Sequence, residues 1–165
     1  MICPLVFFMV KTISRDTPLA EVTFRKYEKP SSLKGRELVR KFCLSIGLLQ
    51  PGDSRDVVVD VLHVFLLNPG KEFSSVEIER LVIENREKHS LNILGVAPSN
   101  IRRQILRLRD AFILEKNGNS YRVTEGSSLK DIFAEKIERY YFNSILSRVK
   151  DYVKRVDEEF LNVED

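Results

Sequence analysis

Two kinds of periodicity divide the chain. From Leu5 to Ile13 and from Leu19 to Tyr27, β-branched and aromatic residues dominate, and Val22 and Phe24 alternate with Glu21, Thr23 and Arg25. Alternation is the period of a half-buried strand, and the run SRDTP between the two stretches supplies turn chemistry. Residues 1–30 are therefore expected to form an N-terminal β-ribbon, ended by Pro30. Beyond it the spacing changes to three and four. A helix is predicted over about Ser32–Leu49, where Leu38, Phe42 and Ile46 recur, and QPGD stops it. A second helix opens after Asp53 or Ser54 and is apolar around most of its circumference (Val57, Val58, Val61, Leu62, Val64, Phe65, Leu66), which places it at the centre of a core. Asn68-Pro69-Gly70 closes it. A third helix starts at a capping box, Ser74 with Glu77, stapled by Phe73, and buries Ile78, Leu81 and Val82. After the connector SLNILGVAP, Ser99 is expected to cap a fourth helix.

On that fourth helix Ile101, Ile105, Leu108 and Phe112 fall within about 40° of one another at 100° per residue, a single buried face. Asn100, Arg103, Gln104 and Arg107 are expected on the other side, with Arg102 and Arg109 on a flank and Leu106 as the apolar residue off the stripe. The segment FILEKNGNSYRVT then reads as a hairpin closed by Asn117-Gly118 in a type I′ turn, with Lys116 opposite Asn119 and Leu114 opposite Tyr121. A two-stranded hairpin is marginal alone, so it must lean on the helices. From GSSLKDIF to about Leu161 there is no Gly or Pro, and apolar residues keep helical spacing. At 1.5 Å per residue this helix would be roughly 50 Å long, more than the diameter of the small body before it.

The chain has 165 residues, 43% of them hydrophobic and 31% charged, with a net charge of +3. That suits about one domain with an extra element. The charge distribution says more than its sum. Residues 97–124 carry six basic groups against two acidic ones, whereas residues 125–165 carry seven against ten. The expected exposed ridge of the fourth helix, Asn-Arg-Gln-Arg, has no carboxylate. Asn, Gln and Arg can make bidentate hydrogen bonds to purine edges in a major groove, and flanking cations suit phosphates. The two cysteines, Cys3 and Cys43, suggest no disulfide framework, so a reducing, cytoplasmic compartment is expected, with Cys43 a small buried hydrophobe. The opening run MICPLVFFMV is too short to span a bilayer and lacks the flanks of a secretory signal. Met9 is an alternative start. No phosphate-binding glycine loop and no metal-ligand spacing occurs, so neither cofactor nor metal is expected. His63, inside the core helix, reads as a satisfied buried imidazole rather than a catalytic one. An enzyme is not expected.

Three helices, the third basic, followed by a hairpin with Lys116, Asn119 and Arg122 near its tip and return strand, make an order that resembles the winged helix-turn-helix superfamily, in the flavour of small archaeal transcriptional regulators. The resemblance covers about Asp56–Thr124. It implies a mainly α fold with a small β component, Ser99–Asp110 as recognition helix and Glu115–Arg122 as wing. The organisation that follows is a β-ribbon (1–30), a winged-helix domain (31–126) and a long C-terminal dimerisation helix (127–165). Arg103 and Arg107, with Asn100 and Gln104, are expected to contact bases, and Arg102, Arg109, Lys116 and Arg122 to contact phosphates. Phe133, Ile137, Tyr140, Val149, Val153 and Val156 are expected to form the seam of a homodimer. The expected function is a DNA-binding regulator acting as a homodimer on double-stranded DNA, with no membrane association. The alternative is a winged-helix module that binds protein in a larger assembly without touching DNA.

Overall fold

The computed structural model describes residues 16–161. It is mainly helical, with a small three-stranded antiparallel sheet and a long C-terminal helix. The order is α1 (Gly35–Ser45), α2 (Val57–Leu67), β1 (Phe73–Ser74), α3 (Ser75–Lys88), α4 (Pro98–Asp110), β2 (Leu114–Asn117), β3 (Ser120–Val123), α5 (Leu129–Ile132), a π-helical segment (Phe133–Phe142) and α6 (Asn143–Phe160). The last three run on as one helix, since the residues at their junctions keep right-handed helical dihedrals.

α2 is the centre of the core, as its apolar circumference requires: every residue from Val57 to Phe65 is buried, and α1, α3 and α4 pack around it. α3 begins as its sequence dictates. The Ser74 hydroxyl accepts from the Glu77 amide while the Glu77 carboxylate accepts from the Ser74 amide at 2.7 Å, which pairs two of the free donors of the first turn. The hairpin leans on α3 through β1, giving the sheet order β1-β3-β2.

Three local expectations are corrected. Leu19–Tyr27 forms no strand. This stretch is an extended strap that crosses from the C-terminal end of α1 to the long helix, and no described strand lies beside it to pair. The Arg25 amide donates to Ser45 O and its guanidinium to Leu44 O and Leu49 O. Phe24 packs between Phe133 and Phe142, and the Tyr141 hydroxyl bonds both backbone groups of Glu21. The other expected strand, Leu5–Ile13, lies outside the described residues. α1 starts at Gly35 rather than Ser32, and its buried side is Arg36, Val39, Cys43 and Leu44. Leu38 from the expected stripe is 40% exposed. Cys43 is indeed a buried hydrophobe, and burial pushes its thiol up to about 12. The hairpin register is shifted too. Asn117 pairs Ser120 and Lys116 pairs Tyr121, so the two-residue turn is Gly118-Asn119. Only Gly118 takes a positive φ (59°) there. Positive φ at the first central position alone is the type II′ requirement, which glycine meets without cost, and no type I′ turn forms.

The phase of α1 is set by a buried ionic cluster. Asp60, fully buried on α2, accepts from Arg36 Nε at 2.8 Å, a terminal Arg36 nitrogen at 2.9 Å, Asn85 Nδ2 at 2.9 Å and Arg86 at 2.5 Å. Asp56 bonds the same two arginines at 2.9 and 3.1 Å. Two guanidiniums and two carboxylates thus neutralise one another where α1, α2 and α3 meet. Beside them His63 is buried with its ring edge-on to His89 at 5.8 Å. Its Nδ1 has no hydrogen-bond partner among the described residues, so the expected satisfied imidazole is corrected on that point. Burial and the neighbouring His89 hold its pKa below the ordinary value.

Candidate nucleic-acid interface

α4 opens with Pro98 at its first position, where the missing N–H costs nothing. Its N-cap is Ala97 rather than Ser99, and no side chain caps it. Instead, Asn100 reaches back and donates to Gly95 O at 2.6 Å, tying the connector to the first turn. The Asn100 carbonyl accepts from Arg103 and Gln104, both at 2.9 Å. Gln104 Oε1 accepts from Arg107, and Arg107 donates onward to Leu48 O in the turn that follows α1.

The four residues expected to form an exposed ridge therefore belong to one internal hydrogen-bond relay. Gln104 is 8% exposed, and Asn100 and Arg107 are half-buried, so only Arg103 of the four stands in solvent. The reason lies in the helical wheel. Gln104 sits about 60° from Ile101, at the margin of the apolar stripe, and the real buried arc is wide enough to include it. The solvent face of α4 is accordingly rotated, to Arg102, Arg103, Leu106, Arg109 and Asp110. Leu106, half of whose surface is exposed, lies in the middle of that face. Arg102 and Arg109 bond no other described group. Phe112 is not on the helix at all: it follows the C-cap with φ of 62°.

On the hairpin Lys116 and Asn119 are exposed, as expected near a tip. Arg122 is not a free cation. It bonds Glu115 at 2.7 Å and Glu72 at 3.1 Å, the second of which also accepts from Asn117. The Glu115 hydrogen bond raises the Arg122 pKa, and the same bond lowers that of Glu115. The available cations are thus Arg102, Arg103 and Arg109 on α4 and Lys116 on β2. Among the described residues no group of three His, Cys, Asp or Glu is placed to hold a metal ion, and no helix is long and apolar enough to cross a membrane.

The C-terminal seam divides in two. Phe133 is half-buried against Phe24 and Ile137 is 6% exposed, so the first part of the expected seam is covered by this chain itself. Tyr140, Val149, Val153 and Val156 are more than half exposed. No residue of α6 is buried, and Tyr152 and Phe160 extend the same open surface. The chain matches no known protein family, no curated protein and no solved structure.

Proposed function

We propose that this chain is a winged-helix protein that binds double-stranded DNA through the solvent face of α4 and the β2–β3 hairpin. The observation that carries the reading is the contrast among its arginines. Arg36, Arg86 and Arg122 are all ion-paired, whereas Arg102 and Arg109 stand in solvent without a carboxylate partner and Arg103 is held only by a neutral amide. Cations so placed attract phosphates and release condensed counterions on contact. The order α2-β1-α3-α4-β2-β3, with β1 paired to the return strand of the hairpin, supports the winged-helix assignment. The contact set differs from the one expected: Arg102, Arg103 and Arg109 take the positions facing the duplex, Lys116 and Asn119 flank them, and Leu106 suits a thymine methyl. Gln104 and Arg107 are held in the hydrogen-bond relay, and Arg122 is ion-paired to Glu115 and Glu72.

Fluorescence anisotropy with a random duplex at several salt concentrations tests this. Four phosphate contacts give a log–log slope of about −3 to −4, and Arg102→Ala with Arg109→Ala flattens it by about two units. Absence of duplex affinity at low salt overturns the proposal. Leu106 favours a second reading, a module whose basic and apolar face binds an acidic protein segment; that outcome leaves duplex affinity negligible at every salt concentration. The proposal includes a homodimer built on α6, whose apolar positions Val149, Tyr152, Val153, Val156 and Phe160 keep spacings of one, three and four. Sedimentation checks it: the dimer dissociates on Val149→Asp with Val153→Asp, and a 19.2 kDa wild-type species at micromolar concentration refutes it.

A further inference from the structure

A cleft of about 540 Å³ opens where the strap, the end of α1, the end of α4 and the π-helical segment converge. Its size falls in the range of small-ligand sites. Apolar walls come from Ile46, Phe112, Ile137 and Tyr141. Its charged groups are of both signs. Arg107 uses two of its five N–H donors in bonds to Gln104 and Leu48, leaving three. Asp110, one turn further along α4, and Glu21 on the strap also line the cleft, and neither carboxylate bonds another described group. Two independent features of the backbone mark the same place. Phe112 holds a φ of 62°, unusual for a bulky side chain, fixed by its amide to Arg109 O at 2.9 Å and by the Thr124 hydroxyl on its own carbonyl at 2.7 Å. The long helix adopts its π-helical segment where it supplies Ile137 and Tyr141, and such segments are frequent at functional sites.

We propose that this cleft binds a small zwitterion, an α-amino acid with an apolar or aromatic side chain. Its carboxylate meets the spare donors of Arg107, its ammonium meets Asp110 and Glu21, and its side chain lies against Phe112 and Tyr141. A purely anionic ligand is opposed by the two carboxylates, and a purely cationic one by the guanidinium. Because the walls belong to α4, the strap and the C-terminal helix together, an occupant ties these elements to one another. The site stands independently of any nucleic-acid role.

Calorimetric titration of the full chain with L-phenylalanine and L-leucine tests the proposal. At least one of them binds with Kd of about 1 mM or tighter. For the aromatic probe, 3-phenylpropionate, which lacks the ammonium, and phenethylamine, which lacks the carboxylate, each bind about tenfold more weakly or worse. For leucine the matching pair is 4-methylpentanoate and isopentylamine. Asp110→Asn, an exposed and unbonded position that leaves folding intact, reduces amino-acid affinity about tenfold without weakening the carboxylate analogue. Ala111→Leu, which narrows the cleft, reduces binding of all probes. Failure of both amino acids to bind at about 10 mM overturns the site. Equal affinity for amino acid and carboxylate analogue, or indifference to Asp110→Asn, overturns the zwitterion assignment.

Discussion

Removing the Asp60 side chain is the most demanding test of how this fold holds together. Asp60→Ala deletes the acceptor of four hydrogen bonds and leaves Arg36 and Arg86, each about 95% buried, sharing Asp56 as their one close carboxylate, with Glu37 4.0 Å from Arg36. Breaking a buried, fully bonded ion pair from one side costs about 3–5 kcal/mol, because the partner charge stays in the low-dielectric interior. Domains of this kind have a total stability of about 5–15 kcal/mol, so the loss is a large fraction. With a urea m value of about 2 kcal/mol/M it moves the unfolding midpoint down by about 2 M. The chain has no tryptophan, so far-ultraviolet circular dichroism is the suitable signal. Arg36→Met, Asp56→Leu, Asp60→Leu and Arg86→Met together replace all four charges by apolar groups and should recover most of the loss, since the cluster's net worth is far smaller than the cost of breaking it. A drop below about 1 kcal/mol for Asp60→Ala would show that water relieves the stranded guanidiniums and refute this account. The cluster also has a pH signature. Burial raises the Asp56 pKa, but hydrogen bonds from Arg36 and Arg86 outweigh it and hold the carboxyl below its ordinary value. Its contribution is therefore complete above the unfolded value of about 3.9 and fades as pH falls toward the lower folded value.

Other perturbations read separate parts of the structure. The lowered His63 pKa means that the unfolded chain binds a proton first, so stability declines as pH falls below about 6.5; His63→Leu should flatten that decline in urea midpoints measured between pH 7.5 and 5.5. Gly47 holds a φ of 77°, and an added Cβ would lie 2.7 Å from Thr23 Cβ. Gly47→Ala should thus lower the melting temperature by about 4–8 °C, for a cost of about 2 kcal/mol. Adding Thr23→Gly should recover the steric part and not the backbone part, as thermal melts of the single and double variants would show. Tyr141→Phe removes both hydrogen bonds to the Glu21 backbone and should speed amide hydrogen exchange at Glu21 while leaving α2 protected.

How much of this was legible in the chain depended on the range of the forces involved. The apolar circumference of α2, the capping box of α3 and the uninterrupted helical spacing after Ser128 are local patterns, and each appears where its residues place it. So does a glycine-centred hairpin, because tight-turn chemistry is confined to a few residues. The register of that hairpin was not legible, since pairing depends on both strands and on β1, which has only two residues and no alternation of its own. Nor was the phase of α1 and α4. Gln104 was expected on the exposed ridge, and arginine is a type seldom buried, yet Gln104 and Arg36 are both buried, Arg36 among carboxylates 20 and 24 positions away and Gln104 in an amide relay. One signal did exist: a lone aspartate inside VVVDVLHVFLL has to find cations if that helix is central. Which arginines answer it, and which are consequently left in solvent, is decided only when α1 and α3 close over α2. The sequence alone determined where the helices and the hairpin lie and which residues α2 and α3 bury, because propensity, capping and periodicity act within a turn or two. Which charges are consumed inside the fold and which remain for a partner was decided by tertiary packing, because neutralising a buried charge requires groups that meet only in three dimensions.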